Sequence, residues 1–158
     1  MPSFFKQIIR PFKGSSTRTF VLYPLLIVAW ELLWNKGGLR VEPIFIPVGV
    51  WGYLQYRLCG KFRIRHGGGG PGMDTPPDRL VTTGVFAHTR NPMYIGHIIF
   101  LLGMALTFHS FLAAVLAIVT AAFFHVRVLR DEHRLAGQFG DPYIAYSRKV
   151  KRWLPGLF

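Results

Sequence analysis

Apolar positions in this chain gather into four long runs separated by basic connections rich in glycine and proline. The runs are Phe20 to Trp34, Pro43 to Leu58, Pro92 to Phe108 and Phe111 to Val128. A bilayer-spanning helix needs about 17 to 25 residues, and each run sits at or just under the short end of that range. The pattern predicts spans over approximately 19–35, 42–58, 92–108 and 111–128, with tilted or interfacial ends. The expected fold is all-α and integral to a membrane: one domain over 1–158, with four transmembrane helices and short helices in a C-terminal segment over 129–158. The first run has no small-x-small cleavage site and closes on Ala29-Trp30-Glu31-Leu32-Leu33-Trp34, so it is expected to remain attached.

Local signals sharpen the boundaries. Asn91 is a natural cap and Pro92 a natural first helical residue, which starts the third helix where a basic loop stops. His109-Ser110 is so short a connection that spans three and four must form an antiparallel hairpin, returning Arg130-Asp131-Glu132-His133 to the level of Arg90. The fourth helix is expected to continue through Leu135 and Phe139 until Gly140-Asp141-Pro142 supplies a stop, a cap and a first-turn proline. A short helix with Tyr143, Tyr146 and Val150 on one face follows, and Trp153 to Phe158 reads as an interfacial anchor. At the other end, Phe4, Phe5, Ile8, Ile9 and Phe12 recur among lysines and arginines like a helix lying in the headgroup layer. Gly49 and Gly52 imply a kinked or closely packed second span. Glu31 must face other helices or the far interface, and its neighbours Trp30 and Trp34 favour the interface. The run Gly67-Gly68-Gly69-Gly70-Pro71-Gly72 lacks the Lys-Ser/Thr ending of a phosphate-binding loop and reads as a flexible lid or linker.

Composition agrees with a membrane protein, since 51% of the residues are hydrophobic and 15% aromatic. Both shares are rich for a soluble domain of this size. A net charge of +12 would suit nucleic acid, but its placement argues against that partner. Seventeen of the 19 lysines and arginines precede span one, lie between spans two and three, or fall at and beyond the end of span four; only Lys36 and Arg40 lie elsewhere. Such a bias puts both termini, the central loop and any site built there in the cytoplasm. The lone Cys59 excludes an internal disulfide.

The cytoplasmic level also gathers chemistry. Arg90 and a helix N-terminus suit a carboxylate, Asp131-Glu132 suits an ammonium or ribose hydroxyls, and Phe139, Tyr143 and Tyr146 suit an adenine ring. S-adenosylmethionine has all three parts. Each feature also has an ordinary structural role, as a helix cap, a solvated charge pair or an interfacial aromatic belt.

Taken together, Gly84-Val-Phe-Ala-His-Thr-Arg-Asn-Pro-Met-Tyr-Ile-Gly96 and the series Asp131-Glu132, Leu135, Phe139-Gly140, Tyr143, Tyr146, Val150, Pro155 resemble the isoprenylcysteine carboxyl methyltransferase and phospholipid methyltransferase superfamily of integral membrane enzymes. The resemblance runs from Gly84 to Pro155. It implies S-adenosylmethionine as cofactor, closed between the helix start and the acidic-pair helix. Carried over by position, it implicates Arg90, Asn91, Pro92, Tyr94, Glu132, Tyr143 and Tyr146, with Arg90 and Glu132 as the catalytic pair. Asp131, beside Glu132, and His97, one turn beyond Tyr94, complete the expected cofactor-binding set. Asn91 stands where the family often has histidine, and Asp131 where it often has glutamate. The implied reaction is in-line attack on the sulfonium methyl by a lipid or lipidated acceptor, through a carboxylate, amine or thiol. For an amine, His97 is a candidate base; as a packing histidine it needs no such role. No metal is expected: His88, His97, His125 and His133 offer no pair at the i, i+3 or i, i+4 spacing of helical ligands. The non-enzymatic alternative is a small membrane scaffold or transporter subunit.

Overall fold

The computed structural model describes residues 14–70, 72–73 and 75–154. The expected surface helix of Phe4, Phe5, Ile8, Ile9 and Phe12, and the end of the expected anchor at 155–158, lie outside the described residues. Within them every extended element is helical. Helix α1 (Ser15–Trp34) contains a π-helical stretch over Arg18–Leu22. Thr19, at the start of that stretch, donates its hydroxyl back to the Ser15 carbonyl at 3.1 Å. Such back-bonding often bends a helix. Helix α2 (Ile46–Gly67) follows a 3-10 turn over Pro43–Phe45. Helices α3 (Pro92–Phe108) and α4 (Phe111–Phe139) form the expected hairpin. The chain turns through His109 at φ +48° and Ser110, whose hydroxyl accepts from Ala113 N at 3.2 Å as an N-cap. Helix α5 (Asp141–Lys149) begins after Gly140, which takes φ +59° and ends α4.

Two boundaries differ from the hydropathy pattern. Helix α2 does not stop at Leu58 but continues to Gly67. Lys, Arg, Phe and Ile are adequate helix formers even where apolar character ends. Its inner stripe continues as well, through Cys59, Arg63 and Gly67. The boundary at 128 is likewise one of polarity alone, since α4 crosses it unbroken for 29 residues. Among the described residues, length and composition mark two helices as able to cross a membrane, Ser15–Trp34 and Phe111–Phe139. Pro92–Phe108 is apolar but 17 residues long, and the charges on the second half of α2 dilute that helix. Large apolar side chains point outward along the bundle, including Leu33 at 81% exposure and Phe111 at 82%.

Helices α2 and α3 meet through glycine. A Cβ added to Gly52 would fall on the backbone of Phe100, one on Gly96 would lie 2.7 Å from the Gly52 carbonyl oxygen, and one on Gly103 would strike Gly49. Backbones this close gain dispersion contacts that larger residues would forbid. Beside this seam Ile27, Leu101, Ala113 and Ala117 form one buried cluster; Cys59, Met73, Met93, Tyr94, Phe124 and Val128 form another, under the opening of the α3/α4 hairpin. Gly52→Ala and Gly103→Ala should each destabilise the protein by about 1 to 3 kcal/mol through overpacking. Gly137→Ala, on open helix surface, should be neutral or slightly stabilising. Thermal unfolding in detergent checks both, and an unchanged midpoint for Gly52→Ala would remove the seam from this account.

Candidate functional site

A cleft opens where α3 begins and α4 leaves its apolar stretch. Arg90 to Tyr94 form one wall; Asp131, Glu132 and Leu135 form the second; Tyr143 and Tyr146 of α5 form the third. The connection between α2 and α3 covers it with Met73, Pro76, Pro77, Leu80, Val81 and Phe86.

Glu132 is the centre of the charge arrangement. Arg152 grips it with both nitrogens of its fork, Nε to Oε1 at 3.0 Å and Nη2 to Oε2 at 2.8 Å, while Arg90 Nη1 lies 3.3 Å from Oε1. Bidentate, charge-assisted bonds of this kind are among the strongest in proteins. The hydrogen bond to Glu132 raises the pKa of Arg152 further, so its guanidinium stays charged. Arg90 has capacity left, since its buried Nε has no acceptor. Asp131 is held separately: Tyr94 donates its hydroxyl to Oδ2 at 2.7 Å, Arg134 Nη2 reaches Oδ1 at 3.0 Å, and Arg127 Nε lies 3.6 Å from Oδ2. Arg127 also lies over the Tyr94 ring and donates to Ser15 Oγ at 2.9 Å and Met73 O at 3.2 Å, tying α1 and the covering loop to α4.

The segment after α5 straps the helix start. Arg90 N donates to the Lys151 carbonyl at 3.0 Å, and the Arg152 carbonyl accepts from Asn91 Nδ2 at 3.1 Å and Thr89 Oγ1 at 3.3 Å. Asn91 precedes α3 as expected, yet its side chain caps nothing in that helix and serves the strap instead. Pro92 takes the first helical position, and its carbonyl accepts from Gln55 of α2 at 3.0 Å. On the aromatic wall Tyr143 and Tyr146 meet edge to face at 6.1 Å, and Tyr146 donates to the Phe86 carbonyl at 2.6 Å. Burial pushes the Tyr143 phenol up to about 12 and raises Tyr146 as well. Both therefore remain neutral donors at physiological pH.

Arg90, Asn91, Pro92, Tyr94, Asp131, Glu132, Tyr143 and Tyr146 thus converge on one cleft. His97 does not line it. Its ring is fully buried among Phe20, Tyr56 and Phe124, and Nδ1 lies 2.9 Å from the Met93 carbonyl, which can only accept. Nδ1 therefore carries the proton and Nε2, without a partner, the lone pair. Phe139 is also outside the lining, and Phe86 supplies the third aromatic edge. Among the described residues no group of His, Cys, Asp and Glu stands close enough to hold a metal ion.

Sequence reasoning missed four participants. Arg152 and Arg127 were absorbed into the charge count, where nothing marks one arginine as inward. Met73 gave no signal. Arg63 did leave one, standing a helical turn after Cys59 on the buried stripe of α2. Its guanidinium donates to the carbonyls of Thr75 at 2.9 Å, Gly70 at 2.9 Å and Gly72 at 2.5 Å. With Gly69 N bonded to Asp78 Oδ2 at 2.8 Å and Gln138 Nε2 to Pro77 O at 3.1 Å, the expected flexible linker is a folded cover pinned to α2 and α4. Arg152→Ala should uncover one side of Glu132. Charge-assisted bonds of this kind contribute about 1.5 to 3 kcal/mol, and an Arg152→Ala/Glu132→Gln double-mutant cycle in detergent should return coupling of that order. Additive single mutants would show the bridge to be incidental.

Comparison with known proteins bears on this same region. Residues 69–141 match the family model described as phospholipid methyltransferase. Protein-S-isoprenylcysteine O-methyltransferase of Schizosaccharomyces pombe is 36% identical over 77 residues, covering 48% of this chain and 33% of that protein. Protein-S-isoprenylcysteine O-methyltransferase B of Arabidopsis thaliana is 33% identical over 78 residues, 49% of this chain and 40% of that protein. The Mus musculus enzyme is 32% identical over 77 residues, 48% of this chain and 27% of that protein. The matched stretch thus spans between about a quarter and two fifths of these relatives' lengths. No solved structure matches. The helix start from Arg90 to Tyr94 and the acidic pair Asp131-Glu132 both fall inside the segment that is similar to the phospholipid methyltransferase family model.

Proposed function

We propose that this protein transfers a methyl group from S-adenosylmethionine to a membrane-associated amphiphile, through a carboxylate, amine or thiol of a lipid or lipidated molecule, at the cytoplasmic face of the membrane. The observation that carries the reading is the meeting of Arg90 and Glu132 in an aromatic-walled cleft at the end of an apolar hairpin. The residues fit the donor. Arg90 retains an unpartnered Nε and part of its fork for a carboxylate, Glu132 and Asp131 offer acceptors, and Phe86, Tyr143 and Tyr146 offer ring faces and edges. Arg63, Arg90, Arg127, Arg134 and Arg152 outnumber the two carboxylates, a surplus of positive charge that favours an anionic group. The similarity to protein-S-isoprenylcysteine O-methyltransferases supports a lipidated acceptor.

S-adenosylmethionine supplies a sulfonium methyl open to in-line attack. The chain's own contribution is placement: Arg90 and Glu132 fix opposite ends of one zwitterion, the tyrosine wall orients the base, and the pinned cover of Met73, Pro76, Pro77, Leu80 and Val81 excludes water. An acceptor carboxylate or thiolate needs no base. His97, enclosed by rings, is assigned no proton transfer.

All four apolar helices serve as spans in this reading, with the cleft, both termini and the α2–α3 connection on the cytoplasmic side. The outward apolar side chains of α1, α2 and α4 and the distribution of lysine and arginine support it.

Calorimetry on detergent-purified protein should show S-adenosylhomocysteine binding that weakens ~10- to 150-fold in Arg90→Ala and Glu132→Gln, the loss of one charge-assisted contact in each. Transfer of a radiolabelled methyl group should appear in extracted lipid. Wild-type affinity in both folded variants, or label confined to the aqueous fraction, contradicts the assignment. Orientation has its own test. In a Cys59→Ser background, a membrane-impermeant maleimide applied to intact cells should label Phe111→Cys and spare His88→Cys, both at exposed positions; the reverse would strand the cleft away from its cytosolic cofactor.

A further inference from the structure

At the end of the bundle opposite the cleft, a second cavity is lined by Trp30, Glu31, Trp34, Asn35, Arg40 and the hairpin tip around His109. Glu31 is its unusual member. The residue is 7% exposed, accepts from Asn35 Nδ2 at 3.1 Å, and pairs with no cationic nitrogen among the described residues. Arg40 lines the same cavity without reaching it. A carboxylate removed from water is costly unless a positive charge compensates it, and nothing among the described residues does so. Beside it Trp30 and Trp34 stack at 5.7 Å with an interplanar angle of 15°. They present indole, the ring that best attracts a cation. Arg40 stands ready for an anion on the same ligand.

We propose that this cavity binds the ammonium-bearing headgroup of a zwitterionic phospholipid from the leaflet opposite the cleft, with the ammonium against Glu31 and the tryptophans and the phosphate toward Arg40. Charge complementarity selects this occupant. An anionic lipid would bring phosphate to Arg40 but leave Glu31 uncompensated, and an ammonium without phosphate would leave Arg40 unused. The apolar residues Phe108 and Phe111 line the same cavity and offer a surface for the first methylenes of the acyl chains.

The full chain in maltoside detergent, titrated with dimyristoylphosphatidylcholine or dimyristoylphosphatidylglycerol and read by native mass spectrometry, tests this. Phosphatidylcholine should be retained about tenfold more tightly, a typical yield for a cation between aromatic faces and a carboxylate. Glu31→Gln keeps an acceptor for Asn35 and should erase the difference. Trp34→Leu, at a position 73% exposed and therefore tolerant, should reduce it several-fold. Equal retention of the two lipids by the wild-type protein overturns the proposal, as does a phosphatidylcholine preference that either substitution leaves at its wild-type size. Should Glu31→Gln fail to fold, Trp34→Leu alone decides. The readout involves no methyl transfer, so its outcome is independent of the activity proposed above.

Discussion

A carboxylate that is only 14% exposed must be compensated, and Glu132 is compensated from two directions at once: by the fork of Arg152 from the C-terminal strap and by Arg90 from the start of α3. Glu132 and its two partners come from three separate parts of the chain. Because the bonds to Arg152 are bidentate, they fix the direction as well as the position of the carboxylate. The strap that carries Arg152 is in turn bonded through its carbonyls to Arg90 N, Asn91 and Thr89. Glu132, the strap and the helix start therefore define one another, and the walls of the cleft have a set spacing before any ligand arrives.

A second guanidinium does the same for the roof. Arg63, buried on a helix otherwise ending in exposed lysine and arginine, takes three loop carbonyls that would lack donors under so thin a cover. Glycine at 68, 69 and 72, with φ of +71°, +75° and +83°, lets the backbone turn those carbonyls inward. The glycine run is thus a requirement of the cover's shape, and Met73 beyond it reaches down into the cluster around Tyr94 and Phe124.

The legible part of this fold was whatever a residue's immediate neighbours decide. Pro92 after Asn91 marks the start of α3, Gly140 marks the end of α4, and a two-residue turn between apolar runs forces a hairpin. The paired motifs named most of the cleft because both lie on helices whose ends the sequence marks. Polarity misjudged α2, whose helix outlasts its apolar character, since hydropathy reports solvent preference and not backbone state. Arginine was the least legible residue. Arg63, Arg127 and Arg152 are identical in sequence terms to Arg65 or Arg148, and only tertiary contact separates a guanidinium that organises a loop from one that meets water. His97 erred in the other direction: it stands one turn from the cleft residues, but the direction of its side chain sends it into the ring cluster of Phe20, Tyr56 and Phe124.

Helix length connects the architecture to the proposed chemistry. Helix α4 runs for 29 residues, and Asp131 and Glu132 lie near its far end. At about 1.5 Å per residue such a helix extends roughly 43 Å, longer than the ~30 Å of a hydrocarbon core, and the acidic pair lies beyond its apolar stretch. Helix α2 outlasts its apolar stretch at the same end and carries Arg63 there. The cleft is therefore built on extensions of the same helices that carry the apolar surface, and much of its floor is the Met93 and Tyr94 layer at the top of the bundle. A separate soluble domain would hold its substrate by its own mass. Here the surface adjoining the cleft is the outward apolar face of the helices themselves, so a ligand gains most affinity if its own apolar part remains against that face while its reactive group enters among the arginines. That division of labour suits the proposed acceptor with a lipid tail.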